Sequence, residues 1–132
     1  MILVDSNIWI DLIQKDPVWL DWSLEQLQRV RAQERVAINP IIYAELAPTY
    51  DDCAELDHFL KVAKATMQPL SRPAAYAAGR AFLQYRQKRG SKTGVLPDFF
   101  IGAQAQTEGW TLLTRDVARY APYFPGVRLI AP

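Results

Sequence analysis

Four carboxylates stand in contexts that suggest shared chemistry: Asp5, Glu45, Asp98 and Asp116. Asp5 follows the apolar run Ile2-Leu3-Val4, and Asp116 comes two residues after Leu112-Leu113-Thr114. Glu45 is four residues past Ile41 and three past Ile42, so it falls on their side of a short helix. A charge on an apolar stripe needs a partner. Asp98 directly follows Pro97 at a helix start, where the N-terminal dipole favours an ionised side chain. Taken singly, Asp98 and Asp116 read as helix caps or turn residues. Gathered at one place the four acids would repel one another, and no basic residue in these motifs reads as their neutraliser. A divalent cation would serve. All-oxygen ligation suits Mg²⁺ or Mn²⁺, which keep waters and bind phosphates. Such an ion can orient a water, lower its pKa and stabilise displacement at phosphorus.

The elements that must position these acids can be read from the same sequence. Strands are predicted near residues 2–4, 36–38, 110–113 and 127–130, with a brief extended piece around Met67 to Leu70. Ser6 is expected to cap a helix running to about Gln14. Pro17 sits just inside a second helix, striped by Leu20, Leu24, Leu27 and Val30. Asn39-Pro40 reads as an N-cap followed by Pro at the first helical position, and Pro48 stops that short helix. Asp51 or Asp52 opens the next, with Cys53, Leu56, Leu60 and Ala63 on one buried face and His58 on the opposite, exposed side. Pro73 begins a helix ending at Gly90, and Pro97-Asp98 begins a buried one closing at Gly109. Strands alternating with helices imply an α/β fold with a parallel sheet covered on both faces. Ligands in such sheets sit beyond the carboxyl ends of the strands. Asp5 and Asp116 both fall there.

Composition narrows the class further. The chain has 132 residues, 50% of them hydrophobic and 22% charged, which suits one domain spanning 1–132 with a buried core. No uninterrupted apolar run is long enough to cross a membrane. The opening MILVDSNIWIDLIQKD carries acids in its apolar stretch and does not read as a signal peptide. One Cys and one His exclude a Cys/His zinc cluster, and a single Cys fits a reducing, cytoplasmic setting. The net charge is only +1, yet its distribution is uneven. From His58 to Pro97 there are eight basic residues and no acidic one, leaving the rest of the chain at −7. That block is either a solvated face or a surface for a polyanion beside an acidic site. Arg86, Lys88, Arg89 and Lys92 cluster just before Asp98 and are the candidate phosphate-holding group. GSKTG, residues 90–94, superficially resembles a phosphate loop, but Ser91 stands where that pattern requires Gly before Lys. Trp22 and the largely apolar first helix reflect either deep burial or a surface for a second subunit or partner helix.

Together ILVDSNIWIDLI, Glu45 within YAEL, VLPDFFIGAQAQ and LLTRD resemble the four acidic motifs of PIN-domain nucleases, and specifically the VapC toxins of toxin–antitoxin pairs. The resemblance runs from about Met1 to Ile130. It implies a PIN-like α/β/α sandwich around a parallel sheet of four to five strands. It also implies that Asp5, Glu45, Asp98 and Asp116 match the metal-coordinating quartet; within it we expect Asp5, Asp98 and Asp116 as direct or water-bridged ligands and Glu45 slightly behind, holding a metal-bound water. Ser6, Asn7 and Thr114 match site-lining positions. The expected activity is Mg²⁺- or Mn²⁺-dependent endoribonuclease cleavage, tRNA being one candidate substrate. The expected partners are a VapB-type antitoxin and a second copy of the chain. An alternative is a regulatory subunit that acts mainly through a DNA-binding antitoxin. Two other aspartate chemistries fit poorly. A haloacid-dehalogenase-like enzyme would need a second Asp two positions after Asp5, where Asn7 stands, and a phospho-receiver would need a Lys after a later strand.

Overall fold

The first strand, β1 (Ile2–Val4), becomes the centre of the molecule. In the computed structural model, which describes residues 1–88, 90–91 and 96–132, all three of its residues are buried. Arg89, Lys92 and the rest of the 92–95 stretch, including most of the GSKTG loop, lie outside the described residues. β1 pairs in parallel with β2 (Val36–Ile38) on one side and β4 (Thr111–Leu113) on the other. β3 (Ala65–Met67) extends the sheet beyond β2, and β5 (Leu129–Ile130) extends it beyond β4. The order is β3-β2-β1-β4-β5, every pairing parallel. Ile2, Leu3 and Val4 register with Thr111, Leu112 and Leu113, so Asp5 and Thr114 leave the sheet side by side.

Helices flank this sheet as an α/β/α sandwich. They are α1 (Ser6–Ile13), α2 (Leu20–Arg31), α3 (Pro40–Leu46), α4 (Cys53–Val62), α5 (Arg72–Gln87), α6 (Pro97–Glu108) and α7 (Val117–Tyr120). The chain steps outward from β1 to β2 to β3, then returns through α5 and α6 to β4 on the other side of β1. The strand order therefore reverses between β1 and β4, and ligands of such sheets bind in a crevice at the carboxyl ends of the strands at that point. Local chemistry supports each turn of this path. Asn39 caps α3 by accepting from the Ile42 amide at 2.8 Å, and its own amide donates to the buried Gln104 of α6. Gln104 in turn donates to the Pro69 carbonyl, tying three elements together. α6 lies deep because Phe99, Ile101, Ala103 and Ala105 are all buried. Gly102 is required on that helix: a Cβ there would come within 2.3 Å of the Phe124 ring.

Several expectations shift. The second helix starts at Leu20 and not at Pro17, because Asp16 Oδ1 captures the amides of Val18 and Trp19 in a turn first. Its inward face is Ser23, Leu27 and Val30, and Leu24 is exposed. Ser23 is inward because it donates to a buried carboxylate, Asp11, at 2.6 Å. Cys53 is exposed, contrary to its reading as core, since residues 51–55 all lie outside the core and α4 buries only Leu56 and Leu60, with Ala63 buried just beyond its end. His58 is exposed as expected. The extended piece near Met67 is a true edge strand, displaced toward Ala65. No helix of the described residues is long and apolar enough to cross a membrane.

Candidate active site

At the β1–β4 crevice Asp5 is only 1% exposed. Asp5, and not Ser6 as expected, caps α1, because its carboxylate Oδ1 accepts from the Ser6 amide at 2.8 Å. Oδ2 accepts from Thr114 Oγ1 and from Tyr120 Oη, each at 2.8 Å. Asn7 Nδ2 lies 3.4 Å from both Asp5 Oδ2 and Thr114 Oγ1, and Asn7 Oδ1 accepts from the Arg115 amide. Thr114 Oγ1 in turn accepts from the Asp116 amide at 3.0 Å. These bonds lock the turn after β4 onto the start of α1.

The other three acids join Asp5 through intervening donors. Ser6 Oγ lies 3.1 Å from Glu45 Oε1 and 3.4 Å from Asp5 Oδ1, so its single proton serves one carboxylate at a time. The Tyr120 hydroxyl gives its single proton to Asp5 and lies near enough to Asp98 to favour that carboxyl's charged form. Arg119 Nε pairs with Asp116 Oδ2 at 2.8 Å, and Nη1 stands 3.7 Å from Asp98 Oδ1. The result is a string in two parts: hydrogen bonds join Glu45, Ser6, Asp5 and Tyr120, and charge joins Asp98, Arg119 and Asp116. The two parts meet where Asp98 feels the charge of Asp5.

Two of the acids feel their surroundings strongly. Burial pushes the Glu45 carboxyl above its ordinary value, with the Asp5 and Asp98 charges adding to it and the Ser6 hydrogen bond opposing it. Burial also raises Asp98, partly offset by Arg119 and the Tyr120 hydroxyl, with Asp5 and Asp116 adding further repulsion. Tyr120 is raised far above an ordinary phenol, first by burial and then by Asp5 and Asp98, so it remains a donor at any working pH. Negative charge is therefore incompletely compensated by the chain itself. Hard oxygen donors in such excess suit Mg²⁺ or Mn²⁺. Among the described residues, however, no three acidic, Cys or His side chains are drawn up closely enough to grip one ion as they stand. Asp98 and Asp116 are instead turned to Arg119.

The structure thus brings Asp5, Glu45, Asp98 and Asp116 into one linked group with Ser6, Asn7 and Thr114. It corrects the expectation that no basic residue serves these acids. Arg115 and Arg119 flank Asp116, and both are used. Arg115 donates through Nε and Nη2 to Asp11, at 2.8 and 3.0 Å, while its guanidinium lies over the Trp19 ring. Asp11 is 1% exposed, and three donors, two from Arg115 and one from Ser23, meet its carboxylate. Sequence reasoning missed Arg119 and Tyr120 as well. Both sit one helical turn after Asp116, at i+3 and i+4, on a helix of four residues too short to show a pattern in the sequence. The basic group expected to hold phosphates is only partly described: Arg86 donates to the Gly90 carbonyl, and the Lys88 ammonium lies 5.4 Å from the centre of the Tyr123 ring.

Comparison with known proteins agrees with this architecture. The sequence matches the PIN domain family over residues 2–121. No curated protein matches it significantly. Among solved structures, the VapBC2 complex of Rickettsia felis bound to a promoter DNA fragment superposes with a TM-score of 0.75 at 24% identity, covering 99% of this chain and 98% of that one. A toxin–antitoxin complex from Klebsiella pneumoniae gives 0.63 at 26% identity, covering 96% and 95%. VapC20 of Mycobacterium tuberculosis, a toxin that cleaves the sarcin–ricin loop, gives 0.62 at 14% identity, covering 97% and 99%.

Proposed function

The chain belongs to the PIN-domain family, and from that premise we propose that it is the VapC-type toxin of a toxin–antitoxin pair, a divalent-metal-dependent endoribonuclease. The observation that carries this reading is the string of four carboxylates at the β1–β4 crevice, with more negative charge than the chain neutralises. Asp5, Asp98 and Asp116 would hold Mg²⁺ or Mn²⁺. When bound, that ion supplies positive charge that polarises the scissile phosphate and acidifies the attacking water. The residues do the rest. Thr114, Tyr120 and the Ser6 amide fix both oxygens of Asp5, so its direction is set before anything binds. Glu45 takes the proton of the attacking water, and its raised pKa brings it closer to working pH as a base. No His is needed, which suits a chain whose one His is exposed. Arg86, Lys88, Arg89 and Lys92 would hold phosphates further along the RNA.

Partners follow from the same reading: an RNA substrate, structured RNA such as tRNA among the candidates, a VapB-type antitoxin, and a second copy of the chain, in the cytoplasm. The similarity to toxin–antitoxin complexes, one of them on DNA, supports this assignment. It also keeps open a subunit that works chiefly through a DNA-binding antitoxin. One assay decides between them. Total tRNA is incubated with wild type and Asp98→Asn in Mg²⁺, Mn²⁺ or excess chelator. Wild type should cut only with metal, and the variant should lose cleavage by orders of magnitude while remaining folded. Cleavage in chelator, or by folded Asp98→Asn, would refute the metal quartet. An inert wild type that joins DNA only with its antitoxin would favour the regulatory subunit.

A further inference from the structure

Arg119 occupies an unusual position for a cation. It is one helical turn past Asp116, on the four-residue α7, and it is half exposed, at 50%. Its guanidinium touches Asp116 at 2.8 Å through Nε, a full charge-assisted hydrogen bond. Its Nη1 stands 3.7 Å from Asp98, beyond hydrogen-bond reach, so that contact is electrostatic alone. Asp98 and Asp116 belong to different elements, and among the described residues Arg119 is the one side chain that forms ion pairs with both. Among the described residues no other Lys or Arg forms an ion pair with any of the four acids. Arg115, the nearest alternative in sequence, is committed to Asp11.

A divalent ion on Asp98 and Asp116 would need the same oxygens and would repel the same guanidinium. The long stem and half-exposed head of Arg119 allow it to leave without disturbing the core. Once displaced, it would stand at the rim where a substrate phosphate must arrive, and a planar guanidinium is well matched to phosphate oxygens. We propose that Arg119 is a resident counter-cation that competes with the divalent ion for Asp98 and Asp116, and that the ion's entry releases it to hold the phosphate being cut. This inference rests on the metal-quartet reading and assigns this residue two successive partners.

The test uses Arg119→Gln, which keeps the stem and removes the charge. Mn²⁺ is titrated calorimetrically into each metal-stripped protein, and cleavage of total tRNA is then followed at saturating Mn²⁺. Ion pairs this exposed are each worth a factor of a few, so the variant should bind Mn²⁺ about two- to tenfold more tightly. Its kcat/KM should fall roughly tenfold, chiefly through KM, because a phosphate-binding charge is gone. If Arg119 merely props Asp116 in place, the variant binds Mn²⁺ equally or more weakly, and the inference is overturned. It is also overturned if kcat/KM is unchanged. A wild type that takes up no Mn²⁺ would bring down the quartet reading together with this inference, and that result is distinct from a wild type that binds while the variant does not tighten.

Discussion

Replacing Tyr120 with Phe removes one oxygen from a fully buried ring. The ring remains in the core, so the perturbation isolates the hydroxyl. That hydroxyl donates at 2.8 Å to Asp5, itself 1% exposed. A hydrogen bond to a charged group contributes about 1.5–3 kcal/mol, and a buried acceptor left short of a donor pays its desolvation as well. Asp5 Oδ2 would still have Thr114 at 2.8 Å, which limits the loss. The expected cost is therefore about 2 kcal/mol, equivalent to a fall in Tm of roughly 5–10 °C for a domain of this size. Calorimetric melting in chelator measures it. Saturating Mn²⁺ should narrow the gap between variant and wild type, because a cation beside Asp5 replaces part of what the phenol gave. An unchanged Tm in chelator would mean that Tyr120 is only filling space and that the string of donors does not hold the acids together.

Two further outcomes follow from the same geometry. Asp11→Ala strips Arg115 and Ser23 of their shared partner. Arg115 is 26% exposed and can turn to water, so the loss should be about 2–4 kcal/mol, with Asp11→Asn recovering part of it. Urea denaturation reads this directly, and an unmoved midpoint would show the pair to be idle. The second outcome concerns pH. In chelator, Glu45 and Asp98 have raised carboxyls in the folded chain, burial being the main cause in each. The folded state therefore takes up their protons more readily than the unfolded state does. Their contribution is complete below the ordinary carboxylate range near pH ~4 and is lost as pH rises through the raised folded values. Asp98→Asn should weaken this dependence and raise the metal-free Tm near neutrality. A variant whose Tm falls at neutral pH in chelator would contradict the claim of uncompensated charge.

The layout of the fold was legible because its signals are local. Asn39-Pro40 marks a helix start through one cap and one missing N–H, and the structure has that cap. Ile2-Leu3-Val4 reads as a buried strand, and all three are buried. Cys53 misled because it continues the periodicity of α4 past the edge of the core, where spacing persists but nothing covers it. Leu24 misled in the same sense but for another reason. The inward position next to it is taken by Ser23, whose reason for being there, Asp11, is twelve residues away on another helix. Asp11 carried a local signal that went unused: it is three residues past the buried Ile8, a carboxylate on a buried stripe just as Glu45 is on its own.

The acids of the site were legible one by one, but their neutralisers were not. A carboxylate following a strand announces itself in sequence, because the strand end fixes where it points. Its counter-groups need only reach it in space. Ser6 and Thr114 adjoin the strand ends and could be placed, yet Tyr120 and Arg119 come from a helix of four residues too short to show periodicity. These two residues change the physical picture from four free charges awaiting an ion to four charges already spaced by donors. A site built that way can fold without metal, which four unscreened carboxylates at one sheet end would oppose. The same spacing sets what metal must do on entry: it has to displace a cation from Asp98 and Asp116 while leaving Asp5 held by Thr114 and Tyr120. Exchange at the exposed half of the string and permanence at the buried half is the division of labour that the burial of Asp5 and the exposure of Arg119 impose.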